Sequence, residues 1–167
     1  MKTLASFLIG LSIIAAASVN LAAQDREKTL ILVRHAEKAD DSADPELSAA
    51  GRERAARLIK TAGKYKPGAF YSTNFKRTRD TITPLAQKRK KEVQTYDARN
   101  PQALIDNIMN SRTKRFLIAG HSNTVPALAN LITKKELFKN LLDTEYSVIW
   151  VIKMKRGKVV KFEILDY

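Results

Sequence analysis

Apolar residues along this chain fall into two patterns. The first is the unbroken run. Thr29-Leu30-Ile31-Leu32-Val33 is β-branched and leucine-rich and stops at Arg34-His35. Runs of this kind are buried strands of a parallel-type sheet, covered on both faces. Arg115-Phe116-Leu117-Ile118-Ala119-Gly120 repeats the design and stops at His121. Ala69-Phe70-Tyr71-Ser72 follows a Pro67-Gly68 turn as a shorter strand, and Glu92–Tyr96 alternates well enough for another. Ser147–Lys153 and Lys158–Leu165 alternate about Lys155-Arg156-Gly157, which predicts a closing β-hairpin.

The second pattern is the helical stripe. Ser48 suits a helix N-cap, Ala55, Ala56, Leu58, Ile59 and Ala62 recur at helical spacing, and Gly63 is a stop. Phe75 to Ala86 is helical, with Pro84 expected to kink the helix or divide it into two segments. Asn100-Pro101 is a helix start, N-cap then first turn, ahead of Leu104, Ile105, Ile108 and Met109. A further helix opens at Ser122 or Asn123 and tolerates Pro126 in its first turn. Lys134–Asp143, with Leu137, Phe138, Leu141 and Leu142, predicts a short amphipathic helix. Strands alternating with helices give an α/β three-layer sandwich: a mainly parallel central sheet flanked by helices, with antiparallel strands near the C-terminus. No repeat or linker interrupts residues 24–167, which read as one domain.

Residues 1–23 stand apart. Lys2 precedes an apolar stretch from Leu4 to Ala17 and then Leu21-Ala22-Ala23, the layout of a signal peptide cut after Ala23 or Ala22. The alternative is a retained membrane anchor. Export predicts a periplasmic or secreted protein. Cysteine is absent, so thiolate metal sites and a lipidated cysteine anchor are excluded.

The formal net charge is +13, and Arg52 to Lys91 alone holds thirteen Lys/Arg against Glu53 and Asp80. Asp40, Asp41, Asp44 and Glu46 cluster just before. A basic field attracts anions, and phosphorylated solutes or an anionic membrane surface met peripherally both fit. The aromatic interleaving of a single-strand binder is missing, which argues against nucleic acid. Much of this charge also reads as ordinary solvated surface, and the domain reads as a monomer.

The chain has two histidines, each directly after an apolar strand. Ligands of open α/β sheets sit just beyond the carboxyl ends of such strands. Three readings are open: structural histidines, metal ligands completed by Glu37 or Asp97, or catalysis on phosphate. For the last, a neutral imidazole attacks phosphorus, fixed positive charge holds the equatorial oxygens, and an acid protonates the leaving group. Arg34 offers a planar fork beside His35. His121 precedes a helix N-terminus, and Ser122 and Asn123 add donors.

Arg34-His35-Ala36-Glu37 resembles the Arg-His-Gly-Glu signature of the histidine phosphatase superfamily, also called phosphoglycerate mutase-like. Leu47-Ser48-Ala49-Ala50-Gly51 resembles its Leu-Ser-x-x-Gly segment. Tyr71 to Thr81 is similar to its Ser-Ser-Pro-Leu-x-Arg-Ala-x-x-Thr segment, and Gly120-His121-Ser122-Asn123 to its Gly-His block. The four blocks come in family order over about Leu30 to Leu131. The resemblance implies a short single-domain phosphatase without cofactor or metal, acting on phosphomonoesters through phosphohistidine on His35. Arg34 and Arg77 are then the phosphate clamps, and His121 is a second, charged histidine on the same oxygens. Ala36 departs from the usual glycine, and Asn74 from proline. The proton donor is not well marked. Asp97 at a strand end is the choice and Glu37 the competitor, unless Glu37 only orients His35 by a hydrogen bond. Mutase-type phosphoryl transfer and non-catalytic binding of anionic phosphorylated surfaces are the alternatives.

Overall fold

The computed structural model describes residues 27–167. The expected signal segment, residues 1–23, lies outside the described residues. No helix among the described residues is long and apolar enough to cross a membrane.

The strands are β1 (Lys28–Arg34), β2 (Ala69–Ser72), β3 (Val93–Thr95), β4 (Arg115–Gly120), β5 (Val148–Lys155) and β6 (Lys158–Asp166). They form one sheet in the order β3-β2-β4-β1-β5-β6. β1, β2, β3 and β4 run parallel, and β5 and β6 add antiparallel strands beyond β1. The helices are α1 (Ala49–Thr61), α2 (Lys76–Lys88), α3 (Pro101–Asn110) and α4 (Thr124–Thr133).

The period-two alternation of strand side chains divides the core into two layers. Ile31, Val33, Phe70, Leu117, Ala119, Ile149 and Val151 face Leu58 of α1 and Ile82, Leu85 and Ala86 of α2. Leu30, Leu32, Phe116, Ile118, Trp150 and Ile152 face Leu104 and Ile108 of α3 and Val125, Leu128 and Ile132 of α4. This is the three-layer sandwich expected from the apolar runs. β1 and β4 are buried on both faces, and each fully buried Leu, Ile or Val contributes roughly 1.5–3 kcal/mol. The hairpin turns through Arg156 (φ 51°) and Gly157 (φ 71°), the two left-handed positions of a type I′ turn.

Two expectations change. α2 runs through Pro84 as a single helix, Lys76–Lys88, so of the two outcomes expected at Pro84 the division into segments is overturned. Thr81 and Thr83 hydroxyls there donate to the carbonyls of Arg77 and Arg79. The second correction concerns Lys134–Asp143, which forms no helix. α4 ends at Lys134, which turns left-handed (φ 56°). The Asn130 carboxamide then captures the chain. Its oxygen accepts from the N–H groups of Leu137 (3.0 Å) and Phe138 (2.9 Å), and its nitrogen donates to the Phe138 carbonyl (2.9 Å). Backbone groups bound to a side chain are lost to a helical ladder. Phe138 stacks on Phe162 with centroids 4.9 Å apart, and Leu137 and Leu142 are exposed. The segment is an extended strap laid across the β5–β6 side of the sheet.

Candidate active site

β1 and β4 pair in a register that sets Arg34 opposite Gly120, so the next residues, His35 and His121, leave the sheet side by side. The His35 N–H donates to the Gly120 carbonyl at 2.9 Å. The chain after β1 leads to α1 on one face, and after β4 to α4 on the other. Adjacent strands whose connections diverge in this way open a crevice at their carboxyl ends. The imidazole centroids lie 5.4 Å apart, edge to face.

His35 is only 5% exposed. Its Nδ1 lies 2.8 Å from the Ala36 carbonyl. A carbonyl only accepts, so Nδ1 carries the hydrogen and the lone pair sits on Nε2. The Ala36 N–H donates to Thr81 Oγ1 at 2.8 Å, and that hydroxyl donates to the Arg77 carbonyl at 2.7 Å. Thr81 thus ties the His35 turn to the helix that carries Arg77. His121 Nε2 is 2.9 Å from Thr73 Oγ1, and its backbone N–H donates to Thr124 Oγ1. Phe75 packs edge-on against His121 at 5.0 Å, and Tyr146 lies 6.0 Å from His35.

Both arginines line the same cavity of about 1110 Å³ as the two histidines. Arg34 is held by its Nη1, which donates to the carbonyls of Leu142 (2.7 Å), Asp143 (3.2 Å) and Glu145 (3.0 Å). Its guanidinium lies over the Tyr146 ring at 4.1 Å. The strap therefore fixes Arg34 by one nitrogen. Arg77 lies over Phe75 at 4.6 Å, with Nη1 4.0 Å from an Asp44 oxygen. The Nε of both arginines is buried without a hydrogen-bond partner among the described residues. An unpartnered N–H on a buried charged group is costly unless something accepts from it, and an oxyanion between the arginines would.

Burial, and then the charges of Arg77 and Arg34, push both imidazoles down to about 4. For His35 the hydrogen bond to Ala36 pulls the other way and His121 adds to the depression. Both rings are therefore neutral at pH 7 in the ligand-free site. That suits His35 as a nucleophile and differs from the charged His121 that the motif implied.

The expected acids are placed very differently. Asp97 lines the cavity, but its side chain is half exposed and accepts from Arg99 at 3.1 and 3.3 Å. Those hydrogen bonds hold its carboxyl below the ordinary range. Glu37 lies outside the cavity lining and takes a forked set of bonds from Arg54 at 2.6 to 3.0 Å. Burial raises its carboxyl, but the Arg54 bonds outweigh this and hold it low. Nor does Glu37 orient His35, since the Ala36 carbonyl takes that hydrogen. Ser122 and Asn123 both line the cavity, and the Ser122 carbonyl accepts from the strap at Leu141. Among the described residues no group of three or more His, Cys, Asp or Glu could hold a metal ion.

Thr73, Phe75, Thr81 and Tyr146 were not singled out from the sequence. The first three sit inside the Tyr71–Thr81 motif, where their presence was the available signal. Tyr146 sits in the strap, with no periodicity to mark it.

Gly51 explains the Leu-Ser-x-x-Gly segment. A Cβ there would lie 2.2 Å from the Glu37 carbonyl oxygen, so only glycine lets α1 approach the turn after His35. Ser48 caps that helix, its hydroxyl accepting from Gly51 N–H.

Residues 30–99 match the family model described as histidine phosphatase superfamily (branch 1). That span holds three of the four motif blocks. No curated protein matches the chain. Among solved structures, the mycobacterial glucosyl-3-phosphoglycerate phosphatase Rv2419c is 12% identical, with a TM-score of 0.66 over 85% of this chain and 99% of that one. The protein histidine phosphatase SixA, complexed with tungstate, is 14% identical, with a TM-score of 0.67 over 83% and 96%. A protein of Agrobacterium tumefaciens proposed to be the phosphohistidine phosphatase SixA is 19% identical, with a TM-score of 0.62 over 81% and 97%. The chain thus has the histidine phosphatase fold, and the family model supports the resemblance over residues 30–99.

Proposed function

We propose that this protein is a phosphatase that hydrolyses phosphomonoesters through a phosphohistidine on His35. One observation carries the reading: two strand-end imidazoles 5.4 Å apart share a cavity with two arginines whose buried Nε–H groups have no partner. The phosphoryl group docks between Arg34 and Arg77, which supply the fixed positive charge that phosphoryl transfer needs. His35 Nε2 attacks phosphorus, the N–P bond forms, and the P–O bond to the leaving group breaks. The phosphorylated ring is cationic and keeps its Nδ1–H on the Ala36 carbonyl. The bound dianion offsets the charges that depress His121, so that imidazole gains a proton in the complex and donates to a phosphoryl oxygen.

Asp97 is the proposed proton donor, because it lines the cavity while Glu37 lies outside it, bound to Arg54. In the free site its bonds from Arg99 keep it ionised; the negative charge of the docked phosphate raises the carboxyl, so that it takes up a proton with the substrate and gives it to the departing oxygen. It then takes one from the water that attacks phosphorus as the P–N bond breaks. Two guanidinium groups fill the electrostatic role, so the rate is expected to be unaffected by chelators. The export expected from residues 1–23 would place this reaction outside the cytoplasm.

The experiment is hydrolysis of an aryl phosphate by the purified protein and by His35→Ala, with a rapid quench and mass spectrometry of the wild type. The variant should lose at least about a thousandfold in rate while remaining folded, and the trapped phosphoryl group should map to His35. Retained activity in the variant would remove the mechanism. Phosphate binding without turnover in the wild type would make the chain a binder of phosphorylated surfaces instead.

A further inference from the structure

The charged groups of the cleft separate by depth. Arg34 and Arg77 form the floor, with side chains 5% and 15% exposed. At the mouth Asp41, Asp143 and Arg99 are almost wholly exposed, and Lys38 and Asp97 about half so. All of them line the one cavity. The mouth thus carries two cations against three carboxylates, on a protein whose net charge is +13.

Both mouth cations are already engaged. Lys38 is hydrogen-bonded to Asp41, and Arg99 holds Asp97 through two contacts. The third carboxylate, Asp143, lies 3.8 Å from Arg34 Nη2. A phosphoryl group on the floor engages Arg34 as well and offsets its charge, which leaves Asp143 facing whatever the phosphate is attached to. A second anionic group on the substrate would have to break the pairs of Lys38 or Arg99. An amine or guanidine would find Asp143.

We infer that the cleft selects phosphomonoesters whose remainder carries no further negative charge, and favours those with a cationic remainder. This rests on the phosphatase reading above. The net charge of the whole protein draws anions in, and the mouth then discriminates among them.

Three aryl phosphates of similar size test this: tyramine phosphate (cationic), p-tolyl phosphate (neutral) and 4-carboxyphenyl phosphate (anionic). At low ionic strength kcat/KM should fall in that order. Exposed pairs each contribute little, so the cationic probe should lead the anionic one by roughly fivefold. The ratio should shrink as salt is added. Asp41→Asn with Asp143→Asn, both at exposed side chains, should bring the ratio near one and speed the anionic probe. Equal rates, or a lead for the anionic probe in the wild type, would overturn the inference and leave the phosphatase reading standing. So would a ratio that ignores salt or the double substitution. Absence of turnover with all three would sink the phosphatase reading and the inference with it.

Discussion

The cleft has a floor and a roof built on opposite principles. The floor is built on strand ends, with Arg77 added from α2. His35 and His121 sit where they do because β1 and β4 share a register, and twelve backbone partners, six on each strand, hold that register along the pair. The roof is the strap after α4, which has no ladder and is held by side chains: the carboxamide of Asn130, the stack of Phe138 on Phe162, and the guanidinium of Arg34. A floor of this kind resists single substitutions away from its chemistry. A roof of this kind depends on a few named contacts, and Arg34 belongs to both.

Arg34→Lys gives the largest effect on that division. An ammonium cannot hold the carbonyls of Leu142, Asp143 and Glu145 while presenting a second edge to phosphate. A drop of about a hundredfold in kcat/KM is expected, together with faster amide exchange in residues 141–147. Loss of rate with unchanged exchange there would uncouple roof from floor.

Asn130→Ala attacks the roof alone. It orphans the N–H groups of Leu137 and Phe138 and should cost about 1–3 kcal/mol of strap stability, with a change of a few-fold in activity. An activity loss as large as that of Arg34→Lys would show that the floor leans on the strap more than its ladder suggests.

The smallest perturbation is a proton. The chain has only two histidines, so two imidazole signals can be followed by NMR without interference from others. Both should stay neutral until the pH approaches about 4, where burial and the two arginines have placed them. The sign for stability follows from the same shift. The unfolded chain takes up these protons near 6.5 and the folded chain near 4, so stability present above pH 6.5 is lost as pH falls between those values. Added phosphate should raise His121. A midpoint near 6.5 for either ring in the ligand-free protein would mean a floor more open to water than its burial indicates.

The floor was legible in the sequence and the roof was not, for a physical reason. Leu30 to Val33 and Phe116 to Ala119 are apolar at every position, which marks a strand covered on both faces. A histidine directly after each then falls at the crevice, given only that the two strands are neighbours. The motifs supplied Arg77, which by itself looked like one more cation on a basic helix. The strap carries Leu137, Phe138, Leu141 and Leu142 at helical spacing, yet only Phe138 and Leu141 find a core. What decides its path is the capture of two N–H groups by Asn130, a contact that no periodicity reveals. Glu37 misled in a related way. Its place beside His35 suggested chemistry, while its partner, Arg54, stood inconspicuously among the arginines outside the stripe of α1. Tyr146 matters through Arg34, more than a hundred residues earlier, and such pairings become visible only in three dimensions.

The placement of β1 between β4 and β5 also bears on how the molecule comes into being. Its two neighbours are residues 115–120 and 148–155, so this strand, the first among the described residues, waits for most of the chain before anything can cover it. During that wait Leu30 to Val33 is a bare, aggregation-prone edge, and long-range pairing of this kind is slow. Activity should therefore appear only late in refolding, after the strand of residues 115–120 has been inserted, and holdase chaperones should raise the yield by shielding the stretch that ends in the nucleophile.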